Sequence, residues 1–183
     1  MHSRKPIFSL EDLAVLWCVA DRDRLRENIK YYLRRRKLKK LVRGLYSIDE
    51  AYTELEVAQK LIPLSYISLH TALGLHGINF QYYSTIHSAA VISKRIKVKD
   101  TYFEYHQFKE QIVYNTLGVE KKDGYFLASP ERAVCDTRYL WPNFYFDHSD
   151  SLNTDMLAEV AKIYKNKRLE SEVRDLINDI KDK

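Results

Sequence analysis

Apolar residues in the first third of the chain fall at helical spacing in runs separated by polar breaks, and the pattern changes to strand-like alternation in between. Leu10, Leu13, Ala14, Leu16 and Trp17 make the first set. Ser9 stands before them as an N-cap, and Glu11 and Asp12 occupy the first turn, where negative charge suits the helix dipole. After a break around Ala20 and Asp21, Leu25, Ile29, Tyr32 and Leu33 mark one face of a second helix, with Asp21 or Asp23 as its cap. Two short alternating runs from Leu38 to Ile48, hinged on Arg43-Gly44, predict a β-hairpin with a basic tip. Leu55, Val57, Ala58 and Leu61 predict a short helix ended by Pro63, which places an interdomain joint near residue 60.

Beyond that joint, Ser68 reads as the cap of a helix with Leu69, Ala72, Leu73 and His76 on one stripe, closed by Gly77. From Ser84 to Phe108, β-branched and aromatic residues predict several antiparallel strands, with the basic segment Lys94 to Lys99 as a connection. Ile112-Val113-Tyr114 continues the strands, and Lys122-Asp123-Gly124 supplies a tight turn before Tyr125-Phe126-Leu127-Ala128. Ser129 and Pro130 open a helix that buries Ala133, Val134, Leu140 and Trp141. Two amphipathic helices follow, one with Met156, Leu157, Val160 and Tyr164, the other with Leu169, Val173, Leu176, Ile177 and Ile180. The fold class is therefore α+β. Residues 1–60 read as a winged helix-turn-helix, and residues 61–183 as a mixed α/β domain with an antiparallel sheet and C-terminal helices.

Charge changes this picture, because it is unevenly placed. Residues 1–46 hold 13 Lys and Arg against 5 Asp and Glu, a balance of +8, within a chain whose net charge is +5. Positive charge packed into one quarter of a chain is what a polyanion-binding surface needs. On the second helix Arg26, Lys30 and Arg34 fall at i, i+4 and i+8, and Arg24, Asn28, Tyr31 and Arg35 form a neighbouring row. Arginine can bridge O6 and N7 of guanine and asparagine can do the same for adenine, so this helix is expected in the major groove of duplex DNA. The expected DNA-binding set adds Arg22 and Lys37 at the helix ends and Lys39, Lys40 and Arg43 on the hairpin. A charge run on a helix is ordinarily a solvated face, but clustering on helix and hairpin together favours the polyanion.

Other chemistry finds little support. The longest apolar stretch, Leu13 to Ala20, is far short of a membrane span, so a cytoplasmic protein without membrane contact is expected. Cys18 and Cys135 each sit in an apolar pattern and read as reduced core residues. Six histidines show no metal-binding spacing, since His70 and His76 fall on different helical faces, and no metal, cofactor or catalytic residue is assigned. Arg132 and Asp136, four residues apart beside Glu131, read as helix-surface ion pairs, or else as part of a C-terminal groove. Two alternatives to a non-enzymatic DNA binder stay open. One is a metal-dependent nuclease using Asp100 with Glu120-Lys121-Lys122, although Glu120 lies against a turn where exposed charge is usual. The other is an interaction module built on the tyrosine-rich sheet or the last two helices.

Three landmarks in order, Arg43-Gly44-Leu45-Tyr46, then Tyr66 to Gly77 (YISLHTALGLHG), then Ser129-Pro130-Glu131-Arg132-Ala133 followed by Asp136, make the chain resemble the AbiEi family, the antitoxins of type IV toxin–antitoxin systems. The resemblance spans most of the chain. It implies a winged-helix domain that represses its own operon at promoter inverted repeats, and a C-terminal domain that counteracts a nucleotidyltransferase-like toxin. One departure stands out: such domains carry a helix before the short strand that leads into the helix-turn-helix, and here Met1 to Pro6 alone precede Ile7-Phe8, so a minimal or truncated winged helix is expected.

Overall fold

The start of the first helix illustrates how local chemistry sets the N-terminal elements. In the computed structural model, which describes residues 7–81 and 84–182, strand β1 (Ile7–Ser9) runs directly into α1 (Leu10–Leu16). The Ser9 hydroxyl accepts from Asp12 N at 3.1 Å while the Asp12 carboxylate accepts from Ser9 N at 2.9 Å, so two otherwise orphan donors are satisfied reciprocally. Asp21 caps α2 (Arg22–Arg34) by accepting from Arg24 N at 2.7 Å. The hairpin of β2 (Lys39–Val42) and β3 (Leu45–Ser47) follows, and β3 lies between β1 and β2 in an antiparallel three-stranded sheet. Phe8, Leu13, Leu25, Ile29, Leu38 and Tyr46 bury together under these elements, and Trp17 stacks on Tyr32 at 5.0 Å. The six residues Met1 to Pro6, on which the expected minimal or truncated start turns, lie outside the described residues.

Helix α3 (Glu54–Leu61), opened by a Thr53–Glu56 capping box, packs on β1 and on the larger sheet. Its Lys60 donates to Asp12 at 2.6 Å, and Ile7 and Leu45 join the core that α3 shares with the rest of the chain.

The larger sheet has the order β6-β7-β5-β4-β9-β8, with β4 (Ser65–Ile67), β5 (Thr85–Ala90), β6 (Lys94–Val98), β7 (Thr101–Gln107), β8 (Val119–Lys121) and β9 (Phe126–Ala128). It is mixed, which corrects the expected antiparallel sheet: β5 pairs with β7 and β4 with β9 in parallel, and the other neighbours are antiparallel. The reason is the basic segment. Lys94 to Val98, expected as a connection, is itself the edge strand, so β7 folds back from it and lands beside β5 running the same way. Lysines and an arginine on an edge strand also discourage pairing with another chain.

Three further expectations are corrected. Ile112 and Val113 lie in a single helical turn, α5 (Glu110–Val113), whose geometry turns the Ile112 carbonyl toward Arg132. Ser68 precedes α4 (Leu69–Leu75), but its hydroxyl makes no cap; it donates to Asp136 at 2.6 Å, and Leu69 takes a left-handed φ of +55° at the bend. Cys18 is exposed in the turn between α1 and α2 with φ of +52°, because the apolar run containing it breaks there; Cys135 is buried as expected.

Helix α6 (Pro130–Leu140) starts at Ser129 and Pro130, and α7 (Thr154–Ile163) and α8 (Lys167–Lys181) pack on it. The Tyr105 hydroxyl reaches Ala58 O on α3 from one face of the sheet, and the Tyr66 hydroxyl reaches Asp136 on α6 from the other, so the sheet is a middle layer. No helix among the described residues is long and apolar enough to cross a membrane.

Candidate nucleic-acid interface

Helix α2 is sorted by the same periodicity that seals it. Leu25 and Ile29 are buried and Tyr32 and Leu33 half-buried. Around the remaining arc Arg22, Arg24, Arg26, Lys30, Tyr31, Arg34 and Arg35 are exposed, with Asn28 half-buried. At 100° per residue the Arg26, Lys30, Arg34 row and the Arg24, Asn28, Tyr31, Arg35 row diverge by roughly 130° about the helix axis. The two rows flank a helix; they do not form one flat patch.

Asp23 stands within the arc of the Arg26 row and Glu27 in the gap beside it, and both pair with that row: Arg26 to Asp23 at 2.9 Å and Lys30 to Glu27 at 2.7 Å. The hydrogen bond and charge of Lys30 hold the Glu27 carboxyl below the ordinary carboxylate range. The Arg35 guanidinium sits over the Tyr31 ring, 5.2 Å from its centroid. Arg36, outside the expected set, is exposed between Arg35 and Lys37 with φ of +56°.

Lys37 after α2 and Lys39, Lys40 and Arg43 on the hairpin are all exposed, and Lys39 pairs with Glu50 at 2.9 Å. Gly44 takes φ of +85°, which lets the chain reverse directly after Arg43. Arg43 borders a depression with Ser9, Glu11, Asp12 and Lys60, and Glu11 also borders a second depression with Arg22 and Arg26. The hairpin tip and the first half of α2 thus flank the start of α1, whereas Lys37, Lys39 and Lys40 lie where α2 ends and the hairpin begins.

A different constellation is buried. Arg132 and Asp136, expected on a helix surface, are both 0% exposed, and Glu131 is buried as well. Arg132 donates to the Tyr66 hydroxyl, Leu117 O and Ile112 O at 2.6–3.2 Å. Asp136 accepts from the hydroxyls of Tyr66, Ser68 and Tyr164 and lies 3.7 Å from Arg132. Burial pushes the Asp136 carboxyl up from its ordinary pKa, while Arg132 and the three hydroxyls pull the other way. Glu131 is held by Ser129 and Asn153. The correction has a simple cause: the i, i+4 spacing of Arg132 and Asp136 says that they share a face of α6, and that face is turned inward.

A second group, which no sequence spacing singled out, lies on the sheet face toward α4. His87 on β5 is the register partner of Glu104 on β7, with His106 two residues further along β7. His87 Nδ1 and His106 Nε2 stand 3.0 Å apart. Burial, and then the neighbouring His70, His106 and Arg95, bring the His87 pKa down to about 3; burial also lowers His70 and His106. The alternation Glu104-x-His106 on a strand was the available signal, but its partner is seventeen residues away. Asp100 and Glu120, by contrast, belong to opposite edges of the sheet, the β6–β7 turn and β8, and do not form one cation site.

No protein-family model and no curated protein matches the chain.

Proposed function

We propose that the chain is a non-enzymatic DNA-binding regulator that places α2 in the major groove of duplex DNA and lays the β2–β3 hairpin along the flanking backbone, as a winged helix-turn-helix does. The observation that supports this most is the division of α2. One stripe closes a small core, and the rest of its surface carries Arg22, Arg24, Arg26, Lys30, Arg34 and Arg35, none of them buried against the remainder of the chain. Two rows on either side of a helix suit a groove, which has two walls: one row can face base edges while the other meets phosphate. The pairs of Arg26 and Lys30 with Asp23 and Glu27 are on the surface, where such pairs are weak and readily exchanged for phosphate.

The reading extends to an antitoxin that represses its own type IV toxin–antitoxin operon at inverted repeats and counteracts a nucleotidyltransferase-like toxin through residues 61–183. That extension rests on the AbiEi resemblance. Two of its landmarks, the Tyr66 segment and the Ser129 segment with Asp136, meet in the buried cluster, which accounts for their residue types as scaffold.

The test is titration of the full chain into a labelled promoter duplex at two salt concentrations. Replacing Arg26, Lys30 and Arg34 with alanine should abolish binding without unfolding the protein. Wild-type affinity should fall steeply with salt, with a logarithmic slope of about −0.9 per phosphate neutralised. Binding unchanged by the triple substitution would refute the assignment. Co-expression with the product of the adjacent gene tests the antitoxin role by growth rescue.

A further inference from the structure

We propose that His87, Glu104 and His106 form a binding site for one divalent transition-metal ion, Zn²⁺ foremost, with a coordination position left for water or a ligand. Each of the three offers a ligand atom, and these atoms lie within 4.8 Å of one another. A tetrahedral ion with bonds of about 2.0–2.1 Å holds its ligand atoms roughly 3.4 Å apart, so small side-chain rotations close the triad around it. Two imidazoles and one carboxylate are also a donor set that first-row divalent ions take with open positions.

The backbone makes the convergence inevitable. Side chains two apart on a strand share a face, so Glu104 and His106 point the same way. The parallel register of β5 and β7 then sets His87 directly opposite Glu104 and diagonal to His106. The aromatic wall around the triad restricts the rings: His70 is edge-on to His87 at 5.1 Å and stacked on Trp141 at 5.0 Å, and Trp141 meets His106 edge-on at 5.4 Å. A neighbouring cation, Arg95 on β6, faces Glu104 in register but stacks its guanidinium on Tyr102, 4.6 Å from the ring centroid. His87 is buried and Glu104 and His106 are half-buried, so an ion could enter from the solvent side of β7. The site is separate from α2 and does not depend on the DNA-binding reading.

The experiment is a Co²⁺ titration of the untagged, chelator-stripped full chain at neutral pH, read by visible absorption and calorimetry, with Zn²⁺ as competitor. Expected are one equivalent of Co²⁺ with the d–d bands of low-coordinate nitrogen and oxygen ligation, displacement by Zn²⁺, and a higher melting temperature with Zn²⁺. Glu104→Gln and His106→Gln, at half-buried positions that should preserve the fold by circular dichroism, should each weaken binding by more than about tenfold. His148→Gln, at an exposed histidine elsewhere, should leave it unchanged. Absence of stoichiometric uptake, or uptake that survives Glu104→Gln and His106→Gln, overturns the proposal.

Discussion

Arg132 and Asp136 carry opposite charges with no exposure to bulk solvent, and neighbouring polar groups take the place of that solvent. Three hydroxyls converge on the carboxylate, and two backbone carbonyls and a phenol receive the guanidinium. The ionic contact itself, at 3.7 Å, is the looser part of the cluster. Buried pairs of this kind often contribute little net stability, yet removing one partner strands the other charge. Asp136→Ala should therefore cost about 3–5 kcal/mol in urea unfolding. The double substitution Arg132→Met with Asp136→Leu should recover a large part of that loss. A double variant no more stable than Asp136→Ala would show that the hydrogen bonds to Tyr66, Ser68 and Tyr164, not charge pairing, dominate.

At the scale of the element, α2 combines two requirements that compete for its surface. The apolar stripe must face α1 and the hairpin, and the cations must face outward, where they repel one another. Asp23 and Glu27 relieve that repulsion by pairing with Arg26 and Lys30. They would also oppose an approaching phosphate backbone. Glu27→Gln should then raise affinity for duplex DNA several-fold at low salt by freeing Lys30, with little change at high salt, in the same titration used for the wild type. A fall in affinity would mean that Glu27 contacts DNA or orders the helix for it.

Across the whole molecule, the small N-terminal core meets the large core through β1, β3 and α3, and the Lys60 to Asp12 bond joins α3 to α1. Burial raises the Asp12 carboxyl pKa, but Lys60 and Ser9 outweigh it and the net shift is downward. A carboxyl depressed in the folded state contributes stability that is present above its unfolded pKa, near 4, and lost as the pH falls through the lower folded value. Asp12→Ala removes both that pair and half of the capping box. It should destabilise the protein by about 1 kcal/mol at neutral pH. The gap between variant and wild type should narrow as the pH drops from about 5 to about 2, measured by urea unfolding at each pH. A gap that stays constant would show that neither the Lys60 pair nor the carboxylate's bond to Ser9 N carries the effect, since both titrate with Asp12.

What the sequence determined by itself is local. The caps at Ser9 and Ser129, the α2 cap down to a choice of Asp21 or Asp23, the turn at Gly44 and Gly124, and the stripes of α2, α7 and α8 depend on groups within one helical turn or one hairpin of each other, so spacing suffices to read them. The outward placement of Arg24, Arg26 and Arg34 follows from the same periodicity. Tertiary structure decided everything that waits for a distant partner. The basic segment of β6 became a strand because β7 was there to pair with it, and this in turn made β5 and β7 parallel. Ser68 gave its hydroxyl to Asp136, 68 residues away, although a cap was available locally. Arg132 turned inward because Tyr66, Ile112 and Leu117 supplied acceptors, and His87 met Glu104 and His106 only through sheet register. Helix caps and amphipathic faces are short-range balances, whereas polar burial and strand order are settled by whichever remote groups the folded chain brings within hydrogen-bond reach.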